Sequence, residues 1–401
     1  MSNQYEIIII GGGFSGIISA ITISENTNKR VLVLERNDRI CKKIPSTGNG
    51  RGNLTNSIIS EKFYHGDKAF TKYALNKFGK DSLISFFEEL GVYCVEEDKK
   101  IYPASMQASS VSDMLRFKLE SLNAEVKLGY TVNSIKKTQG GYIINEEYFC
   151  KRLVICTGGQ SMKSFGTDGL GYLLCKQLGL KLTKVFPSLV QIKTDTAKIR
   201  GLKGVKQNAE VSLLDGERCV ASFVGDLLFT DYGASGDTIF RLSAYLSEVS
   251  EPKLKISFVP TLSEEQLKGF LIKKANNSYM KNAYLPVGIV QNKLGQVMLK
   301  NCKIIGEEKA TEKSAKILAK EIKNFTLEIK GTLGFDSSQV THGGIDCNLV
   351  DASTMRYKGE NVYLAGEVLN VDGDCGGYNL QWAYSSARVL SEAIINDCNK
   401  S

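Results

Sequence analysis

Histidine is nearly missing from this sequence: there are two in 401 residues, His65 and His342. The ten cysteines never form a C-x-x-C pair. Together these gaps exclude the usual zinc and iron–sulfur ligand patterns, so no metal is expected. Runs of like charge are missing too. Lys and Arg number 51 against 43 Asp and Glu, a net charge of +8, and they are scattered. A nucleic-acid binder would gather its basic residues on one face beside aromatic stacking partners. A small-molecule substrate is therefore expected, and nucleic acid is not. No signal-peptide pattern opens the chain, so a cytoplasmic location with reduced thiols is expected. The one stretch that mimics a membrane span, Tyr5 to Ile23, holds four glycines and two serines. A spanning helix needs about 20 predominantly apolar residues, so no membrane role is expected. The length exceeds one compact core of ordinary size, which predicts two or three domains.

What is present begins at the N-terminus. Tyr5 to Ile10 is an apolar, β-branched run that reads as a strand buried on both faces. Gly11-Gly12-Gly13-Phe14-Ser15-Gly16 follows, then a small apolar helical stretch, then Val31 to Glu35 as a second strand. Gly11 suits the tight turn, Gly13 a close backbone approach to a pyrophosphate, and Gly16 tight packing of helix on sheet. The phosphates would sit at the positive end of the helix. Glu35 lies 19 residues after Gly16, where its carboxylate can accept hydrogen bonds from adenosine ribose hydroxyls and would repel a 2′-phosphate. These features predict a dinucleotide site. The polar, small-residue segment from Arg36 to Asn56, including Lys42, Lys43 and Arg51, can lie along an extended cofactor.

The C-terminal end supplies a second place where backbone can meet a ligand. Asn361 to Ala365 reads as a buried strand, and Gly366-Glu367 as a turn. Gly376-Gly377 opens a helix through Tyr378, Asn379, Leu380 and Gln381. A nicotinamide-dependent dehydrogenase does not need this terminal unit; two-dinucleotide-binding flavoproteins do. Between the ends, Glu125–Leu128, Thr131–Lys137, Tyr142–Asn145 and Tyr148–Phe149 read as a small meander, and Arg152 to Cys156 as a parallel strand ending at Thr157-Gly158-Gly159. Val132 is placed to meet an adenine through its backbone.

The segments IPSTGNGRGNLTN, LLFTDYGASG, VTHGGID and LAGEVLNVDGDCGGYNLQWAYSS make the chain resemble the BaiN-like (YhiN-like) NAD(P)/FAD-dependent oxidoreductases. That family includes aminoacetone oxidase and a bacterial 3-dehydro-bile-acid reductase. The resemblance implies an α/β fold: a two-dinucleotide-binding-type Rossmann FAD domain, discontinuous in sequence, with an inserted β-barrel-like domain and a helical subdomain. The implied bounds are 1–189 with 336–401 for the FAD domain, 190–262 with 324–335 for the barrel, and 263–323 for the helices. It further implies non-covalent FAD along Gly11, Gly13, Phe14, Ser15 and Gly16, then Glu35, Arg36, Lys42 and Lys43. Next come Thr47, Gly48, Asn49, Gly50, Arg51 and Asn53, then Val132, Thr157 and Gly158, and finally Gly366, Glu367, Asn379, Leu380 and Gln381. The residues of the insertion agree: Glu210–Leu214, Val220–Phe223 and Lys255–Val259 read as strands, and Ser263 with Gln266 forms a capping box. Two features depart from the family pattern. Gly52 stands where relatives carry Cys, and Asp231 and Asp237 replace a His and a Pro.

No second G-x-G-x-x-G follows a buried strand. NAD(P)H, as a possible electron donor, would then dock directly over the flavin. The expected activity is NAD(P)H-driven reduction of a C=C bond in a small or steroid-like conjugated substrate. The alternatives are a small-amine oxidase producing hydrogen peroxide, and a non-enzymatic flavin sensor or RNA-binding flavoprotein. Asp231, His342 and Tyr378 are the leading acid–base candidates, with Glu367 and Cys375 behind them. Each also has a structural reading: Asp231 as a helix cap near Ser235, Glu367 as a binder of loop amides, Cys375 as a small buried residue.

Overall fold

A computed structural model describes residues Asn3–Lys400, so the outermost ends of the expected domain bounds lie outside the described residues. The chain divides into two compact units. One runs to Phe186 and resumes at Gln339; the other is Pro187–Ser338.

The first unit is built on a parallel sheet. Its central strands, in order across the sheet, are Val362–Leu364, Tyr148–Ile155, Gln4–Ile10, Val31–Leu34 and Ala124–Lys127. Ile7 to Ile10, Val31 to Leu34 and Leu153 to Ile155 are all buried. Continuous apolar runs of this kind belong to strands covered on both faces. The first helix, Phe14–Asn26, and the C-terminal helix, Tyr378–Asn399, pack against one another and join this core.

Local structure differs from expectation at three places. Ala124–Lys127 is no part of a meander; it pairs parallel with Val31–Leu34. The run from Thr131 becomes a strand only at Ile135–Thr138, because the Asn145 side chain takes the amides of Asn133 and Ser134 and donates to the Thr131 carbonyl. Tyr148–Ile155 is one continuous strand rather than two.

In the second unit, six antiparallel strands close into a barrel: Ile192–Thr194, Gly233–Ser235, Arg218–Phe229, Lys206–Asp215, Pro252–Ser257 and Phe325–Thr332. Alternate residues fill it, including Ala209, Val211 and Leu213, Leu254 and Ile256, and Phe325 and Leu327, as the two-residue side-chain period of a strand requires. Helices Glu264–Ala275, Asn292–Asn301 and Glu312–Lys323 lie in the connection between the last two strands and share the same core. Ser263 and Gln266 form the expected capping box. Among the described residues no helix is long and apolar enough to cross a membrane.

Candidate functional site

The first glycine loop separates two reasons for being glycine. Gly11 has φ +104°, and a Cβ there would lie 2.4 Å from the Cys156 carbonyl oxygen. A Cβ on Gly16 would lie 2.0 Å from the Gly11 carbonyl oxygen. The protein itself forbids side chains at both. Gly13 is different. Its backbone, at φ −74° and ψ −176°, is open to any residue, and a Cβ would meet nothing closer than 4.0 Å. Nothing in the protein asks for glycine there, but a ligand lying against the loop would. Gly13 also caps the first helix without a side-chain acceptor, which leaves the first-turn amides of Phe14, Ser15 and Gly16 to a bound anion. The bare Gly13 surface, the uncapped helix and the buried, partnerless Thr157 hydroxyl fit a dinucleotide.

Glu35 closes the next side of this cradle. It is 6% exposed; its carboxylate accepts from the Gly12 amide at 2.6 Å and from the Asn37 amide and side chain at 2.7 Å each. The chain then folds back over the loop, with the Cys41 amide donating to the Gly12 carbonyl at 2.7 Å. Lys42 bonds Asn37 and pairs with Asp38. Arg36 pairs with Asp168 at 2.7 Å, and that carboxyl, despite its burial, is held below its ordinary range by Arg36 and the Leu170 amide. Val132 lies buried in the loop that leaves the strand beside Glu35, where the Tyr130 amide donates to the Glu35 carbonyl.

The segment Thr47–Asn53 is irregular. Gly48 and Asn49 are left-handed and Gly50 has φ +85°. Arg51 lies over the Tyr102 ring at 4.3 Å and pairs with Glu97. Asn53 donates to the Thr55 and Ile101 carbonyls. Gly52 has φ +79°, and a Cβ would come within 2.9 Å of the Ala108 Cα. The start of helix Ala108–Glu120 therefore leaves no room here for the cysteine of the family pattern.

The C-terminal segment joins these pieces. Glu367 accepts from the Thr341 amide at 2.8 Å and pairs with Lys43 at 3.2 Å. The Gly366 carbonyl accepts from Trp382 Nε1. Asn379 grips both the amide and the carbonyl of Gly373 at 2.8 Å. Gln381 is fully buried, accepting from Thr55 and donating to Phe78 and Ser385. Leu380 packs at the edge of the core, and Gly158 turns at φ +70°. The Cys156 thiol is pushed up to about 12 by burial.

Of the acid–base candidates, His342 and Tyr378 fall in the first unit. Tyr378 is buried, stacked on Phe63 at 4.7 Å and set edge-on to Tyr64. Cys375 is half-buried. Asp231 lies in the other unit, exposed and paired with Lys203 at 2.7 Å. It does not cap the following helix, whose cap is Gly236.

Sequence reasoning missed one constellation. Strand Tyr64–Gly66 pairs antiparallel with Val371–Gly373, setting His65 opposite Asp372. His342 Nδ1 is 2.8 Å from Asp372, His65 Nε2 is 2.8 Å from Asp374, and the two imidazoles meet edge-to-face at 6.5 Å. Both histidines of the chain thus stand together, each with its own carboxylate. The readable signal was the Asp-x-Asp spacing, which puts two carboxylates on one side of an extended chain.

Residues 5–393 match the family described as HI0933-like protein Rossmann domain. The chain is 34% identical to 3-dehydro-bile acid delta(4,6)-reductase of Clostridium scindens, over 97% of this chain and 98% of that protein. It is 28% identical to the ribosomal RNA dihydrouridine synthases of Escherichia coli and Haemophilus influenzae, over 98% of this chain and 98% and 99% of theirs. Among solved structures, a flavocytochrome c3 fumarate reductase aligns at TM-score 0.47 and 12% identity, covering 98% of this chain and 78% of that one. The fold and the glycine-lined cradle define a Rossmann-type oxidoreductase. The chain belongs to the HI0933-like Rossmann family, a family of FAD-dependent oxidoreductases.

Proposed function

We propose that this enzyme uses NAD(P)H to reduce a C=C bond conjugated to a carbonyl group, in a small or steroid-like substrate. The observation that carries the reading is the 34% identity, across nearly both full lengths, to a protein named as a bile-acid reductase. Bound FAD would accept a hydride from NAD(P)H and pass it to the substrate. The first-turn amides at Gly13 would hold its pyrophosphate, Glu35 the adenosine ribose, and the segments at Thr47–Asn53, Gly366-Glu367 and Asn379 its far end. The protein's own work is to bind, to orient and to supply a proton to the reduced product.

A second substrate class has specific support. Two relatives at 28% identity are named for making dihydrouridine in ribosomal RNA, and a uracil ring also carries a C=C bond conjugated to a carbonyl. One experiment separates the readings. FAD-loaded protein is mixed anaerobically with NADH or NADPH until the flavin colour bleaches. A 3-oxo-4-ene steroid, a uridine-containing RNA, or air is then added. Colour restored by the steroid supports the small-substrate reading, and by the RNA the second. Bleaching by aminoacetone without a nicotinamide, with peroxide formed in air, would make the enzyme an amine oxidase. No bleaching by either nicotinamide overturns the reductase reading.

A further inference from the structure

The His342–Asp372 pair has no task in the cofactor cradle. Asp372 is fully buried and His342 keeps 17% of its side-chain surface exposed. Nδ1 of His342 is committed to Asp372 at 2.8 Å, which fixes the ring's orientation and places the Nδ1 proton toward the carboxylate. Among the described residues, Nε2 has no hydrogen-bond partner. Thr341, the preceding residue, donates its amide to Glu367 and accepts from the Gln160 amide. On the other side, Asn379 at the start of the C-terminal helix holds Gly373, next to Asp372. His342 is therefore fastened between the Gly366-Glu367 turn and the Gly373–Asn379 segment, both among the stretches expected to line the cofactor. The arrangement of a largely buried imidazole, still open to solvent on one part, with a buried carboxylate behind it is that of an oriented acid–base group.

We propose that His342 is the proton-donating catalytic residue, held in place by Asp372, and that its Nε2 binds the carbonyl oxygen of the unsaturated substrate. This rests on the reductase reading above. As hydride from the reduced cofactor reaches the β-carbon, the C=C electron pair shifts toward the carbonyl oxygen, which becomes an enolate. The imidazolium Nε2–H bond breaks and its proton passes to that oxygen. The enol becomes the saturated carbonyl compound, and water reprotonates Nε2. One hydride and one proton are added; the hydride would come from NAD(P)H by way of bound FAD, and the proton from solvent by way of Nε2. The charged groups around His342 are Asp372, Glu367 beyond Thr341, the His65–Asp374 pair, and Lys184, which lies over the Phe186 ring beside His342.

A phenolate mimics the enolate and needs no turnover. The probe is 4-hydroxybenzaldehyde titrated into the oxidised, FAD-loaded protein and read by long-wavelength absorbance. Wild type should bind it. His342→Gln should weaken binding by roughly tenfold or more, the loss of one charge-assisted hydrogen bond, with FAD content unchanged. Asp372→Asn should weaken it less. Because the chain has two histidines, ¹⁵N spectra give two imidazole patterns, and His65→Gln assigns them. Asp372→Asn should shift the Nδ1 signal of His342 and leave that of His65. Equal phenolate affinity in wild type and His342→Gln, or no binding by wild type, overturns the proposal. The two readings fail separately. Phenolate held through His342 with no reoxidation by any unsaturated carbonyl sinks the reductase reading alone. Reoxidation by an enone at equal rates in wild type and His342→Gln sinks the role of His342 alone.

Discussion

The first and the last helix of the first unit both open on glycine, and the glycines are there for different reasons. At the first helix, Gly13 has an ordinary backbone and free space around its Cβ position. At the C-terminal helix, Gly377 has φ +98°, and a Cβ would lie 2.5 Å from the Thr55 carbonyl carbon and oxygen. Neighbouring Gly376 is intermediate: φ +124°, but nothing within 3.6 Å of a Cβ. The same residue type thus answers to conformation at Gly376 and to protein packing at Gly377, while at Gly13 neither the backbone nor the packing of the protein requires it. Glycine at a helix start marks a binding surface only where the protein would tolerate something larger.

Substitutions at the first helix test that distinction with the largest expected effect. Gly16→Ala drives a methyl into the Gly11 carbonyl and should cost on the order of 4 kcal/mol or more, the range of severe core disruption. Gly13→Ala should leave the apo-protein as stable as wild type or firmer by about 0.4–1 kcal/mol, because it restricts only the unfolded chain. It should still lose FAD. Thermal melts of the cofactor-free forms, paired with flavin content after heat release, give both answers. Full FAD occupancy in Gly13→Ala would remove the ligand explanation of that glycine.

The C-terminal helix is the next test. Gly377→Val would break the packing against Thr55 and so is a stability mutant rather than a clean probe of the cofactor. Gly376→Ala meets only the backbone cost of an unfavourable φ, about 1–3 kcal/mol, and should fold. The comparison predicts a larger fall in melting temperature for Gly377→Val than for Gly376→Ala. Equal losses would mean that the Thr55 contact does not hold the helix.

Legibility followed chain distance. The first strand, glycine loop, helix and Glu35 were readable because their determinants sit within one local stretch, as was the Ser263–Gln266 box. The unreadable parts depend on remote partners. His65 meets Asp374 across 309 positions. The extended-looking Thr131–Ser134 loses its strand to a side chain, that of Asn145. The demands on Gly13, Gly376 and Gly377 look alike in sequence and separate only when the surrounding atoms are known.

Glu35 joins both sides of the comparison, because its carboxylate serves the protein before any cofactor arrives. It holds the Gly12 and Asn37 amides. Glu35→Gln keeps the shape and one acceptor oxygen but loses charge assistance, worth about 1.5–3 kcal/mol for such a hydrogen bond. FAD affinity should fall, with a smaller drop in apo-protein stability as the loop loosens. Glu35→Arg would add a buried cation facing backbone amides and should destabilise the fold as well. Unchanged FAD affinity in a folded Glu35→Gln protein would confine this residue to holding the loop.

The smallest effect on cofactor and stability is expected at Asp231, which belongs to neither helix start. Its carboxylate is exposed, and its partner Lys203 holds it below the ordinary carboxylate range, chiefly through their hydrogen bond. Exposed pairs of this kind contribute little to folding and are screened by salt. Asp231→His, which restores the residue of the family pattern, should leave both the melting temperature and the FAD content at wild-type values. Steady-state turnover then isolates function. If Asp231 touches substrate, kcat/KM for different unsaturated carbonyl compounds should change unequally while flavin reduction by NAD(P)H keeps its rate. Equal rates on every substrate would reduce Asp231 to a surface ion pair. A loss of FAD would be the more instructive failure. It would show that position 231 is not neutral for cofactor retention, against the small effect expected of an exposed ion pair.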